Sequence, residues 1–84
     1  MKKIALISAI LENPTENQQE FNIVVSENRR IVKGRMGLPF DEAGIAVVSI
    51  AVVGSMDEIN SFTGKLGKIK NVKVKTAISK KELN

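Results

Sequence analysis

Residues 45–69 read Ile-Ala-Val-Val-Ser-Ile-Ala-Val-Val-Gly-Ser-Met-Asp-Glu-Ile-Asn-Ser-Phe-Thr-Gly-Lys-Leu-Gly-Lys-Ile, and they decide the fold. The opening run, residues 45–53, is short, continuous and rich in β-branched side chains, the mark of a strand that is apolar on both faces. Gly54 ends it. Ser55-Met56-Asp57-Glu58 then spells a capping box, in which the Ser55 hydroxyl accepts from the Glu58 N–H and the Glu58 carboxylate reaches back to Ser55. Ile59, Phe62, Leu66 and Ile69 follow at i, i+3, i+7 and i+10, one apolar stripe of a helix. Asn71 is the stop. Val72, Val74, Thr76 and Ile78 alternate with Lys73, Lys75 and Ala77, a strand of period two. Residues 79–84 read as a polar tail expected to fray.

The same order appears on the N-terminal side. Residues 4–11 form a second short apolar run. Lys2-Lys3 in front of it imitates a signal peptide, but Glu12-Asn13-Pro14 stands where a small-residue cleavage site would be, so the run is a strand. Asn13 is a candidate N-cap, and Pro14 suits the first helical position, where its missing N–H is not needed. Phe21, Val24 and Val25 make the buried stripe of that helix, with Gln18 one turn earlier, and Arg29-Arg30 close it against the negative helix end. Residues 31–38 are the next strand, with Val32, Gly34, Met36 and Leu38 on one face. Residues 38–44, rich in breakers and charge, turn the chain.

A βαββαβ order predicts an α+β, ferredoxin-like domain: a four-stranded antiparallel sheet with both helices on one face. The first and third strands are then central, and the lysine-bearing second and fourth become edges, where charge discourages stray pairing. The 84 residues suffice for one domain, 1–84. One feature does not suit a lone copy. Both central strands are apolar on both faces, so the side without helices is left apolar, and an exposed patch of several hundred Å² marks an interaction site. The expectation is a homo-oligomer, dimer or tetramer, built through the open sheet face. Ala5, Ile7, Ala9, Ala46, Val48 and Ile50 are assigned to that interface.

Composition narrows the chemistry. With 43% apolar and 26% charged residues the chain is an ordinary globular protein. It has no Cys and no His, which excludes disulfides, thiolate sites, Cys nucleophiles and the commonest general base and transition-metal ligand. Ser8, Ser26, Ser49, Ser55, Ser61 and Ser79 therefore lack an imidazole partner, and no catalytic residue, metal ligand or cofactor is expected. Asp41-Glu42 and Asp57-Glu58 are explained by solvation and capping. No segment reaches the roughly 20 apolar residues of a membrane span, so a cytoplasmic location is the default expectation. The net charge of +4 is lopsided: residues 1–58 carry a net of −2 and residues 59–84 a net of +6. The alternative function is thus a basic module for nucleic acid or an acidic protein. Direct nucleic-acid binding is not expected, because Phe21, Phe40 and Phe62 are the only aromatics and two of them belong to helix stripes.

Two glycine-containing stretches are the candidate sites for an unknown small ligand. In Arg35-Met36-Gly37-Leu38-Pro39 the guanidinium beside a turn could clamp a carboxylate or phosphate. In Thr63-Gly64-Lys65-Leu66-Gly67 each helical glycine costs roughly 1 kcal/mol against Ala, a cost that close packing, ligand approach or an early helix end would explain. Arg35, Gly37, Thr63, Gly64, Lys65 and Gly67 are accordingly the ligand-binding candidates. The Glu12-Asn13-Pro14-Thr15 turn is a weaker anion site at a helix start.

The stretch from Gly64-Lys65-Leu66-Gly67 into Val72-Lys73-Val74-Lys75-Thr76, with Arg35-Met36-Gly37-Leu38-Pro39 before the apolar third strand, resembles the iron-only hydrogenase system regulator family. The resemblance spans nearly the whole chain. It implies a small ACT-like, ferredoxin-like domain that associates into dimers or tetramers, similar in fold to the C-terminal domain of the nickel-responsive repressor. It implies a non-enzymatic role in regulation, including transcription regulation through a partner, without a settled ligand. Thr15 stands where amino-acid-binding ACT domains favour Gly, and the His and Cys ligands of nickel repressors have no counterpart here.

Overall fold

A computed structural model describes residues 1–83. The chain runs β1 (Lys2–Glu12), α1 (Pro14–Glu27), β2 (Val32–Phe40), a 3-10 turn (Asp41–Ala43), β3 (Ile45–Gly54), α2 (Met56–Gly67) and β4 (Val72–Leu83). The strands form one antiparallel sheet in the order β2-β3-β1-β4. The two most apolar strands are central and the charged ones are edges, as the residue pattern predicts. Ile7 sits opposite Ile50 on one side and Thr76 on the other, so these three share a face.

That face carries the core. Ala5, Ile7, Ala9, Leu11, Val48, Ile50 and Val52 are buried beneath Phe21 and Val25 of α1 and Ile59, Phe62 and Leu66 of α2. The interface assignment is corrected accordingly. Ala5, Ile7, Ala9, Val48 and Ile50 are core residues, and Ala46 packs against the core half-buried. In strands apolar on both sides, hydrophobicity does not distinguish the faces; volume does. Phe21 and Phe62 supply bulk from above, so the sheet beneath them carries alanines to reach close packing.

Four local features depart from the residue pattern. Asn13 is not a side-chain cap: it adopts left-handed φ 55°, its side chain makes no cap bond, and its backbone N–H donates to the Gly44 carbonyl at 2.9 Å. Asn tolerates that conformation better than most residues. A register shift between Val32 and Gly34 inserts Lys33 as a bulge. Val32 consequently faces the helices while Met36, Leu38 and Phe40 face the open side, apart from the face expected for Val32. The expected tail is strand as far as Leu83: Lys3 pairs with Glu82 and Lys2 with Leu83, beyond a bulge in β4 between Ile78 and Glu82. These pairings satisfy backbone groups that the start of β1 would otherwise present unpaired. Asn84, the last residue of that expected tail, lies outside the described residues.

The fourth is Asn17, which the residue pattern passes over in favour of Gln18. It lies on the Phe21–Val25 stripe, 4% exposed, and its amide donates to the carbonyls of Glu12 (2.8 Å) and Lys70 (3.1 Å). A polar residue at i−4 from a buried Phe was the available signal.

The α2 capping box is formed. Glu58 N–H donates to Ser55 Oγ (3.1 Å) and Ser55 N–H to Glu58 Oε1 (2.9 Å), while Arg30 pairs with the same carboxylate. The Ser55 backbone bond and then Arg30 hold the Glu58 carboxyl below its ordinary value of 4.5. A depressed carboxyl stabilises the fold above the unfolded value and loses that contribution as pH falls through the lower folded one. Ser55→Ala is expected to cost about 1 kcal/mol in urea unfolding at neutral pH. Glu58→Gln is expected to flatten the acid limb of stability below pH 4.5; an unchanged limb would contradict this.

Candidate functional site

Two surfaces are candidates for the site. The first is the open face of the sheet. By register, Leu6 sits opposite Ala51, Ile10 and Leu38 flank Val47, and Phe40 sits opposite Ile45. Ile4, Leu6, Ile10, Met36, Leu38 and Phe40 are between 44% and 61% exposed, so this face is apolar and uncovered. Lys73 and Lys75 pair with Ile10 and Ser8, which places positive charge at the β4 rim of the same face. The principal dimensions of 43 × 18 × 16 Å make the molecule long and narrow.

The second is a hollow of about 240 Å³ on the helix side, between α1 and the β2 edge, lined by Leu11, Gln18, Arg35, Gly37, Pro39 and Val48 among others. Arg35, Gly37 and Pro39 are opposite Ile50, Val48 and Ala46, so all three face the helix layer. The Arg35 guanidinium donates to Asn22 Oδ1 at 2.7 Å and lies 5.6 Å from the centre of the Phe21 ring, which holds it against α1. Gly37 leaves open space above the strand: a Cβ there would meet nothing within 4 Å.

Arg35 and Gly37 are therefore brought together. Thr63, Gly64, Lys65 and Gly67 do not join them and do not line this hollow. They lie on α2, where Thr63 Oγ1 bonds the Asn60 carbonyl and Gly64, Lys65 and Gly67 are exposed. Added Cβ atoms at Gly64 or Gly67 would meet nothing, so packing within the chain does not require either glycine. Gly64→Ala is expected to raise stability by about 1 kcal/mol, read by urea unfolding; a loss would mean that something else contacts that helix face.

A further hollow of about 310 Å³ between the end of α1 and the start of α2 is lined by Glu27, Arg30, Asp57, Glu58 and Ser61. Of its carboxylates, Glu58 serves the capping box and the Arg30 pair. Among the described residues no cluster of three His, Cys, Asp or Glu is placed to hold a metal ion. Among them also, no helix is long and apolar enough to cross a membrane.

The sequence model of the TM1266-like family, described as "Iron-only hydrogenase system regulator, putative", matches residues 3–76. The chain belongs to this family. Among solved structures, the TM1266-like fold is shared with the uncharacterized protein TM1266 from Thermotoga maritima, at 25% identity and a TM-score of 0.91 over 95% of this chain and all of that one. SnoaB, a cofactor-independent oxygenase from Streptomyces nogalater, is similar at 11% identity and a TM-score of 0.59, covering all of this chain and 97% of that one. At that identity the likeness is one of fold alone. Among curated proteins, none matches this TM1266-like chain.

Proposed function

We propose that this protein is a non-enzymatic regulatory module that works as a homo-oligomer, with the open sheet face as the contact between copies and the Arg35 hollow as the seat of a small ligand. The regulated process is the iron-only hydrogenase system for which the family is named. The observation that carries the proposal is the uncovered apolar face. The molecule's 43 × 18 Å outline bounds this face at about 800 Å², the size of one side of a standard protein–protein interface. A second copy is the occupant favoured by its chemistry. A twofold contact needs one patch that complements itself, and a flat apolar band with its lysines at one rim does so without burying an unpaired charge.

The two surfaces are mechanically joined. Leu38 and Val47 line the hollow and also belong to the open face. A ligand that orders this stretch of β2 and β3 would favour one packing of the copies over another, and its effect would equal its differential affinity for the two packings. Sedimentation velocity at micromolar concentration tests the reading: a dimer or tetramer is expected, and monomer alone would overturn it.

Lys73 and Lys75 at the rim favour a second reading, a basic surface for an acidic protein or nucleic acid. A mobility shift lost both with added salt and in the Lys73→Ala/Lys75→Ala variant would support it.

A further inference from the structure

The hollow beside Arg35 has chemistry more specific than the ligand-sensing role alone requires. Arg35 is held by Asn22 on one side and by the Phe21 ring beneath it, so its orientation is set before any guest arrives. Among the described residues no carboxylate lies within salt-bridge distance of it. A guanidinium carries five N–H donors, and Asn22 occupies one of them, so a two-pronged fork remains. Around that fork the walls are apolar: the side chains of Leu11, Pro39, Ala46 and Val48, with Leu38 and Val47, whose side chains face the open side, contributing main chain and Gln18 as the other polar side chain. Gly37 keeps the floor open, and nothing stands within 4 Å of where its Cβ would be.

We infer that this hollow binds a small monocarboxylate with a short apolar tail, the carboxylate forked on Arg35 and the tail over Gly37 and Val48. The carboxylate follows from the donor set. A planar fork matches two carboxylate oxygens, whereas a phosphate dianion would call for further cations, and none lines the hollow. The tail follows from the walls. Its size follows from the volume: about 240 Å³ is below the roughly 300–1,000 Å³ of pockets for drug-sized ligands, so the guest is smaller. This inference rests on the ligand-sensing part of the proposed function and names the chemistry of that ligand.

The test uses phenylacetate as probe, with 2-phenylethanol as its uncharged analogue and inorganic phosphate as a bare anion, followed by ¹⁵N amide shifts of the whole chain. Phenylacetate is expected to move the amides of Gln18, Gly37, Ala46 and Val48 along a saturable curve. The uncharged analogue and phosphate are each expected to bind at least tenfold more weakly. Arg35→Gln removes the fork and Gly37→Val fills the floor, and each is expected to weaken phenylacetate at least tenfold. Gly37→Val adds a side chain where space is open, on an edge strand that favours Val, so the fold should persist and the amide spectrum itself reports that.

Phenylacetate and phosphate binding equally would reduce the site to an exposed cation and overturn the inference. So would shifts that survive Arg35→Gln, or no localised shifts at all. Sedimentation of the same ligand-free sample reads the self-association on its own. A dimer with no phenylacetate site refutes only the ligand chemistry, whereas a monomer that binds phenylacetate refutes only the assembly.

Discussion

Leu6→Glu is expected to convert the proposed oligomer to monomer, raising its dissociation constant about a hundredfold or more, while leaving the fold intact. Leu6 lies in a central strand, is 47% exposed, and faces away from the helices opposite Ala51 and Ala77. In a twofold contact the substitution enters twice, so two carboxylates must be desolvated near the middle of an apolar band without a partner. A central, well-packed position is where interface truncations cost most, typically 2 kcal/mol and above. In the isolated copy the new side chain points into water, and the cost is about 1 kcal/mol or less of strand preference. Ile23→Glu is the control: Ile23 is equally exposed at 51% but lies on α1, away from the sheet face, and its substitution is expected to leave the assembly unchanged. Sedimentation velocity and urea unfolding of the two variants check both halves. Persistence of the wild-type oligomer in Leu6→Glu would remove the sheet face as the interface.

Asn17→Asp is the second large effect, and it acts on stability. The Asn17 amide is 4% exposed and ties together three segments: the end of β1 through the Glu12 carbonyl, the turn before β4 through the Lys70 carbonyl, and the first turns of α1 that carry it. Its partners are both acceptors, so the position needs a donor. An aspartate sets a carboxylate oxygen, an acceptor, where Nδ2 meets both carbonyl oxygens, and brings a buried charge. The expected loss is about 3 kcal/mol or more at neutral pH, from unpaired buried carbonyls and desolvated carboxylate. Burial raises the carboxyl pKa of such a variant, so its deficit should shrink as pH falls and the group takes up a proton. Asn17→Leu loses the donors without adding charge, and its smaller loss, about 1–3 kcal/mol, should not depend on pH. An Asn17→Asp variant within about 0.5 kcal/mol of wild type would show that the amide clasps nothing.

Particular elements show how far the residues alone carry. Ile59, Phe62 and Leu66 were legible as a buried stripe and form the buried face of α2, because its other faces are polar; Ile69, expected on the same helix, is buried in the turn that follows it. The Ser55–Glu58 box was legible because both bonds are local. Residues 79–83 were not legible as strand, since their polar side chains carry no alternation; what orders them is the vacant backbone edge of β1. Of the ligand candidates, Arg35 and Gly37 meet in one hollow, because residues two apart on a strand share a face. The α2 candidates stand apart from it, and nothing in a linear spacing says how distant elements are juxtaposed.

The amino-acid order by itself determined the βαββαβ succession and the central place of β1 and β3, because hydrophobic period and turn chemistry act within a few residues. Only the tertiary structure decided which side of the sheet is core. Alternation divides each central strand into two apolar sets without ranking them, and the choice waits for Phe21 and Phe62 to meet the alanine-bearing set across the layer. Leu6, Ile10 and their neighbours are left on the outer side by that choice alone.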